Sequence, residues 1–223
     1  VNTIDTPGTI PGVTISSVVT HGTFNLDGGT WEVDNNVYII GDEKTVIVID
    51  AAHDADPILE AIDGRRVEAI LLTHGHDDHH SAVTALADAT LAPIYLHPED
   101  NFLYEEIQPR PADKSLTAGQ TIDLPLAAGG VLELRVLHTP GHSPGSVCLH
   151  IPQLAAVFSG DTLFNGGPGA TGRSFSDFDT ILESITGSLL TLPSETLVLT
   201  GHGETTTIGD EAPHLPEWRA RGH

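Results

Sequence analysis

Cationic side chains are scarce in this 223-residue chain: nine lysines and arginines face 31 aspartates and glutamates, a formal charge of −22. A surface that grips a nucleic-acid backbone must neutralise phosphates with Lys and Arg. With only two lysines, Lys44 and Lys114, no nucleic-acid partner is expected. Cysteine is nearly absent, and Cys148 alone closes no intrachain disulfide. No run approaches the ~20 apolar residues of a membrane span, so no membrane partner is expected either. Residues 1–15 lack a basic stretch followed by an apolar one, the pattern of a secretory leader. These absences set the expectation of a soluble protein of a reducing compartment, with the cytoplasm as its location. The acidity itself reads as a solvated surface that resists association. What the chain does have is histidine, 13 of them.

Short Val/Ile/Leu-rich runs closed by turn residues recur at 45–49, 69–72, 94–96, 131–137, 146–150, 155–158 and 197–199, and such runs predict strands. Helices are expected between them at 57–62, opened by Asp56 and Pro57, and at 81–88, 98–107 and 178–190. Interleaving of this kind predicts a layered α/β protein. Residues 131–137 alternate Leu132, Leu134 and Val136 with Glu133 and Arg135, as an antiparallel strand with one wet face would, whereas 69–72 is apolar throughout. No linker, composition break or repeat interrupts the chain, so 1–223 reads as a single domain. The Gly-rich stretch 165–174 is expected to be irregular, and residues 213–223 to form a short terminal helix or tail.

Four predicted strands run into Gly, Thr or Ser and then a side chain that can ligate a metal. Residues 69–72 lead through Thr73 into His74-Gly75-His76-Asp77-Asp78-His79-His80, and 131–137 lead through Thr139-Pro140-Gly141 into His142. After 155–158 come Ser159-Gly160-Asp161, and after 197–199 come Thr200-Gly201-His202. Strand ends are where α/β proteins concentrate chemistry. His74 and His76, two apart, face one side of an extended segment, while Asp78 and His79 begin a turn and can face the other way. One segment can therefore serve two ions. A donor set of imidazole and carboxylate without thiolate suits Zn(II) and tolerates Fe or Mn.

These motifs, in this order, resemble those of the metallo-β-lactamase superfamily from about Val37 to His202, and their wording is most similar to glyoxalase II, hydroxyacylglutathione hydrolase. The resemblance implies a four-layer αββα sandwich with two divalent metal ions, most simply Zn2+, between the tops of its two sheets. It implies His74, His76 and His142 on one ion, Asp78, His79 and His202 on the other, and Asp161 bridging them. Two close cations lower the pKa of a shared water toward neutrality, so hydroxide is the expected nucleophile on a small acyl thioester. Asp78 is expected to orient it, and Asp78 and Asp161 are the catalytic carboxylates. Asp50, at the end of the 45–49 strand, is a candidate acceptor for the outer N–H of a ligating imidazole.

Rival activities of the superfamily make different demands. Its β-lactamases are secreted and lack the bridging carboxylate, and its RNA-processing nucleases carry extra domains and a basic surface. Its acyl-homoserine lactonases resemble a pattern with tyrosine three residues after the bridging Asp, where this chain has Phe164. An iron-dependent persulfide dioxygenase shares enough of the same ligands to remain the alternative. Long glyoxalase II chains grip glutathione through an added C-terminal helical domain, whereas only residues 203–223 follow His202 here. The thiol carrier is therefore expected to differ. Arg173, Lys114 and Arg110 are candidates for a replacement grip, and Phe164, Asn165 and Arg173 for substrate contacts. The sequence sets neither the acyl group, nor the thiol, nor the oligomeric state.

The Gly-rich stretch carries no Gly-Lys-Ser/Thr and reads as a flap beside the metals rather than a phosphate loop. His80, His97 and His138 are expected to be structural, and His21, His53, His150, His214 and His223 carry no pattern. Cys148 is expected in the core. Trp31 and Tyr38 fit equally the mouth of a site or a buried edge.

Overall fold

The computed structural model describes residues 1–222. In the first half, β1 (Asn2–Ile4), β2 (Thr14–Leu26), β3 (Gly29–Gly41), β4 (Thr45–Ile49), β5 (Arg66–Leu71), β6 (Ile94–Leu96) and β7 (Lys114–Ser115) form one sheet in sequence order. Helices α1 (Ala55–Ile62), α2 (Val83–Thr90) and α3 (Asn101–Glu105) interrupt it. Strands β1 to β4 pair antiparallel, and β4 to β7 pair parallel because helical crossovers return the chain to the same edge. The second half supplies β8 (Thr121–Pro125), β9 (Val131–His138), β10 (Val147–Ile151) and β11 (Ala156–Gly160), followed by the short hairpin of β12 (Leu163–Phe164) and β13 (Gly167–Pro168). After α4 (Phe178–Ser184) come β14 (Leu197–Thr200), β15 (Thr206–Thr207), α5 (Ile208–Glu211) and α6 (Leu215–Arg221). The second sheet runs in the order β15-β14-β11-β10-β9-β8.

Side-chain alternation sorts the core into three slabs. Ile47, Ile49, Ala69 and Leu71 of the first sheet face Leu132, Leu134, Val136, Leu149 and Phe158 of the second. The opposite faces pack on helices: Val46, Val48 and Ile70 against Ile58, Val83 and Leu86, and Cys148, Val157 and Val198 against Ile181, Ile185 and Trp218. The result is the αββα sandwich. In β9 the wet face is as the alternation requires, with Arg135 exposed and Glu133 half-buried. Among the described residues, no helix is long and apolar enough to cross a membrane.

Two expectations need correction. The stretch 165–174 is not irregular throughout, because Phe164 and Gly167 pair across a tight turn, and only the part from Gly169 onward leaves regular structure. The helix expected over 178–190 is α-helical to Ser184 and then widens, with Leu190 N–H donating to Ile185 O at 2.9 Å. The largest unforeseen element is the ribbon of β2 and β3, thirteen residues per strand. Its turn is Asp27-Gly28, both at positive φ (52° and 75°), the backbone a two-residue hairpin needs and the reason Asp-Gly is favoured there.

Candidate metal centre

The seven side chains singled out by their positions meet in one place. His74 and His76 follow β5, and Asp78 and His79 sit in the one-turn helix Asp77–His79 behind them. His142 lies on the loop after β9, Asp161 ends β11, and His202 follows β14. Each sheet thus contributes from one edge of the sandwich. Gly201 is required by this crowding, since a Cβ there would run into Asp161 Oδ1 and His79 Cε1.

The nitrogens that face inward form two groups. His76 Nδ1 lies 3.1 Å from His74 Nε2 and 3.0 Å from His142 Nε2. In the second group His79 Nε2 lies 3.2 Å from His202 Nε2, and Asp78 Oδ2 lies 3.4 Å and 3.3 Å from those two nitrogens. Asp161 spans both groups, with Oδ1 3.3 Å from His79 and Oδ2 3.4 Å from His202 and 3.5 Å from His142.

The outer nitrogens decide what the inner ones are. His142 Nδ1 donates to Ala170 O at 2.8 Å, His202 Nδ1 to Asp34 O at 2.7 Å and His79 Nδ1 to Asp50 Oδ2 at 2.9 Å. Thr73 Oγ1 gives its proton to Asp50 Oδ2 and so accepts from His74 Nδ1, 3.1 Å away. With the outer position protonated, the inner nitrogen of each of these rings would face a bound cation with its lone pair, whereas without one those of His79 and His202 share protons with the Asp78 and Asp161 carboxylates. In the group of His74, His76 and His142, buried lone pairs 3.0–3.1 Å apart would repel unless a cation lay among them. Buried Asp161 Oδ1 also lacks a hydrogen-bond partner. By donor chemistry and convergence, the cluster is suited to two metal ions.

Burial, with neighbouring imidazoles, pushes His74 well down and His76 down to about 3. For His79 and His202 burial acts the same way but is outweighed by carboxylates. Asp78, Asp161 and Asp50 hold His79 well up, and Asp161 and Asp78 raise His202 to about 10. Burial opposes ionisation of Asp78 and Asp161, yet His79 and His202 keep both below the usual carboxylate range.

The matching family model is that of the metallo-beta-lactamase superfamily, over residues 30–202. The chain belongs to this superfamily. The hydroxyacylglutathione hydrolase GloC of Haemophilus influenzae is 33% identical over 187 residues, 78% of this chain and 88% of that protein. The B3 metallo-β-lactamase BLEG-1 superposes with a TM-score of 0.73 at 33% identity, covering 89% of this chain and 99% of that one. TTHA1623, solved in a di-iron-bound form, gives 0.72 at 36%, covering 81% and 93%.

Around this superfamily centre, Asp50 takes the place expected of it. Its carboxylate accepts from His79 Nδ1, Thr73 N (2.8 Å) and Thr73 Oγ1 (2.7 Å), while its own φ of 58° is a conformation an L side chain adopts only under constraint. A cavity of about 210 Å3 opens onto the centre. Arg173 lines it together with His76, Asp78, His142, Asp161 and His202. The other two substrate candidates do not line it. Asn165 Nδ2 donates to Thr205 O at 3.0 Å, and the Phe164 ring stands 6.1 Å from that of His202. Lys114 and Arg110 are engaged elsewhere: Lys114 lies over the Tyr95 ring, and Arg110 pairs with Asp113 (3.2 Å) and Asp88 (3.6 Å). Trp31 and Tyr38 have opposite fates. Trp31 lines the cavity, whereas Tyr38 is buried between the sheets with its hydroxyl on Thr200 O at 2.7 Å.

His80, His97 and His138 are built into the scaffold. His80 Nε2 donates to Gly75 O and its Nδ1 accepts from Gln108, while the His97 and His138 rings stack at 4.1 Å. His223 lies outside the described residues. Two further groups escaped notice in the sequence. Of the wall formed by Phe24, Leu26, Trp31 and Val33, the sequence singled out Trp31 alone, and the other three were announced only by Asp27-Gly28 between alternating apolar residues. Asn35 and His53 stand behind Asp78: Asn35 Nδ2 donates to Asp78 Oδ2 at 3.0 Å, and His53 Nε2 donates to Asn35 Oδ1 at 2.7 Å. No local sequence signal links positions so far apart.

Proposed function

We propose that this protein hydrolyses small acyl thioesters of a low-molecular-weight thiol, in the manner of glyoxalase II. The observation that carries the reading is Asp161, whose two oxygens reach His79 on one side and His142 and His202 on the other. Bound in the two groups, divalent ions would supply a polarised carbonyl and a water acidic enough to lose a proton near neutral pH. The residues do the rest. His74, His76 and His142 would hold one ion and Asp78, His79 and His202 the other, with the Asp161 carboxylate between the two groups. Asp78 lines the cavity and would orient the attacking water, its own carboxylate held by Asn35. Phe24, Leu26, Trp31 and Val33 exclude bulk water from one side.

The leaving group narrows the substrate. Among the described residues, every imidazole and carboxylate lining the cavity belongs to the metal-ligating set, and no lysine or tyrosine lines it. No independent general acid is therefore at hand. An amine or alkoxide would depart poorly, but a thiolate, whose conjugate acid has a pKa of about 8.5, departs unaided. The GloC relative, by its name a hydroxyacylglutathione hydrolase, supports the same class.

The test is an anaerobic panel of S-lactoyl and S-formyl thioesters with protein reconstituted separately with zinc, iron and manganese, metal content being measured on the same samples. Thioester turnover that falls by at least ~10²-fold in Asp161→Ala, with loss of metal, is expected, since even outer partners of ligands are worth 10–100-fold. Oxygen uptake with a persulfide and no thioester cleavage would overturn the reading in favour of a dioxygenase, and cleavage of β-lactams alone in favour of a lactamase.

A further inference from the structure

The cavity beside the metal centre is walled by apolar hairpin residues on one side and by the 169–176 loop on the other, and Arg173 is the one arginine or lysine among the described residues lining it. Its guanidinium lies 3.7 Å from the centroid of the Trp31 ring and 5.7 Å from that of Phe24. Cation and aromatic face attract electrostatically, more so where water is thinned, so two rings of the ribbon hold the side chain over the cavity. Stacking uses the face of a guanidinium and leaves its edge donors free.

None of those donors meets a carboxylate. Arg66, Arg110 and Arg135 form ion pairs with Glu68, Asp88, Asp113 and Glu133, but Arg173 forms none among the described residues. Asp27, at the ribbon tip, is the acid close enough to sense its charge, and its Oδ2 instead accepts from Ser174 N at 3.0 Å. That bond ties the ribbon tip to the loop carrying Arg173. The ribbon is also pinned to the metal-ligating segment, since Asn25 donates from N (3.0 Å) and Nδ2 (2.7 Å) to the Asp77 carboxylate. On the far side Phe175 meets Phe102 edge-on at 4.8 Å. In a chain of charge −22, this arginine is held at the site with no acid on its fork.

We infer that Arg173, stacked on Trp31, is an anion-recognition element, and that the preferred substrates are acyl thioesters bearing a carboxylate close to the scissile bond. The inference rests on the thioesterase reading and names the substrate class of the same site. A carboxylate matches the planar fork with two parallel hydrogen bonds, and the small apolar cavity takes the uncharged part between it and the carbonyl. The anion can come from the thiol or the acyl side, and the substrates separate the two.

Three thioesters compare them with metal-loaded enzyme: S-lactoyl-N-acetylcysteamine (uncharged), S-lactoyl-3-mercaptopropionate (carboxylate on the thiol side) and S-succinyl-N-acetylcysteamine (carboxylate on the acyl side). At least one charged substrate is expected to exceed the neutral one about tenfold in kcat/KM. In Arg173→Gln that preference should shrink to under about threefold, and Arg173→Lys should fall between. Equal efficiencies in the wild type, or a preference that survives Arg173→Gln, overturns the inference. If none of the three is cleaved, the thioesterase reading fails and a binding measurement decides the anion site separately. Metal-loaded protein is titrated with the unreactive thioether 3-(methylthio)propionate and with its methyl ester, read by tryptophan emission, Trp31 being exposed at the site and Trp218 buried. Quenching by the acid and not the ester, lost in Arg173→Gln, supports the anion site, and equal responses overturn it.

Discussion

Asn35 and Asp78, 43 positions apart in the sequence, are joined by a 3.0 Å hydrogen bond from the amide of the one to Oδ2 of the other, with both side chains buried. His53 secures the amide from behind, so its ring proton determines which way Asn35 points. Asn35→Ala frees Asp78 to rotate away from His79 and His202. The affinity of the second ion should fall about 10–100-fold, with the ion among His74, His76 and His142 much less affected. Competition with a chromophoric chelator, read as two separate binding steps, checks this; equal loss at both steps would point to general unfolding.

Gly201, directly after β14, lies against Asp161 and His79. Gly201→Ala inserts a methyl against Asp161 Oδ1 and His79 Cε1. The crowding should cost about 1–3 kcal/mol of stability and should lower metal content more than secondary structure. Denaturant midpoints with and without chelator, alongside metal analysis, give both quantities.

Cys148 lies wholly buried between β10 and α4, where burial pushes its thiol up to about 11. The thiolate is the reactive form, and at pH 8 about one thiol in a thousand would be ionised on that value. Native protein should therefore resist alkylation at pH 8 and react once unfolded in urea. Mass spectrometry with iodoacetamide would show it, and rapid native labelling would contradict the burial.

Asp42 closes the turn between β3 and β4. Its carboxylate accepts from Ala127 N (2.6 Å), Lys44 N (2.8 Å) and Thr45 N (2.9 Å), and these bonds, led by that from Ala127, hold its pKa below the usual value of 3.8. A group whose pKa is depressed on folding stabilises above its unfolded pKa, and that stabilisation is lost as pH falls through the folded one. The gap in urea midpoint between wild type and Asp42→Asn should be full at pH 7 and close below about pH 4. A gap independent of pH would assign the effect to shape rather than charge.

Much of this was legible beforehand. Residues 45–49 and 69–72 announced themselves because a strand buried on both faces needs continuous apolar sequence, and the ligands because His74 to His79 crowd behind one of them. What escaped was what depends on distant partners. Phe24, Leu26 and Val33 alternate with polar residues along a ribbon whose outer half is open to solvent, a pattern weaker than that of a core strand. His53 carries no motif, and only the packed structure brings it to Asn35. Lys114 and Arg110 were credible as cations, but charge says nothing of address, and Asp88 and Asp113 were already near Arg110.

Four of the seven convergent side chains are delivered by the first sheet and three by the second. Loaded with its ions, the centre would act as a rivet through the open end of the sandwich, while the apolar slab clamps the rest. Damage to a donor in one half therefore slackens the other, and stripping the ions should let the two leaves breathe at that edge while the far end stays shut.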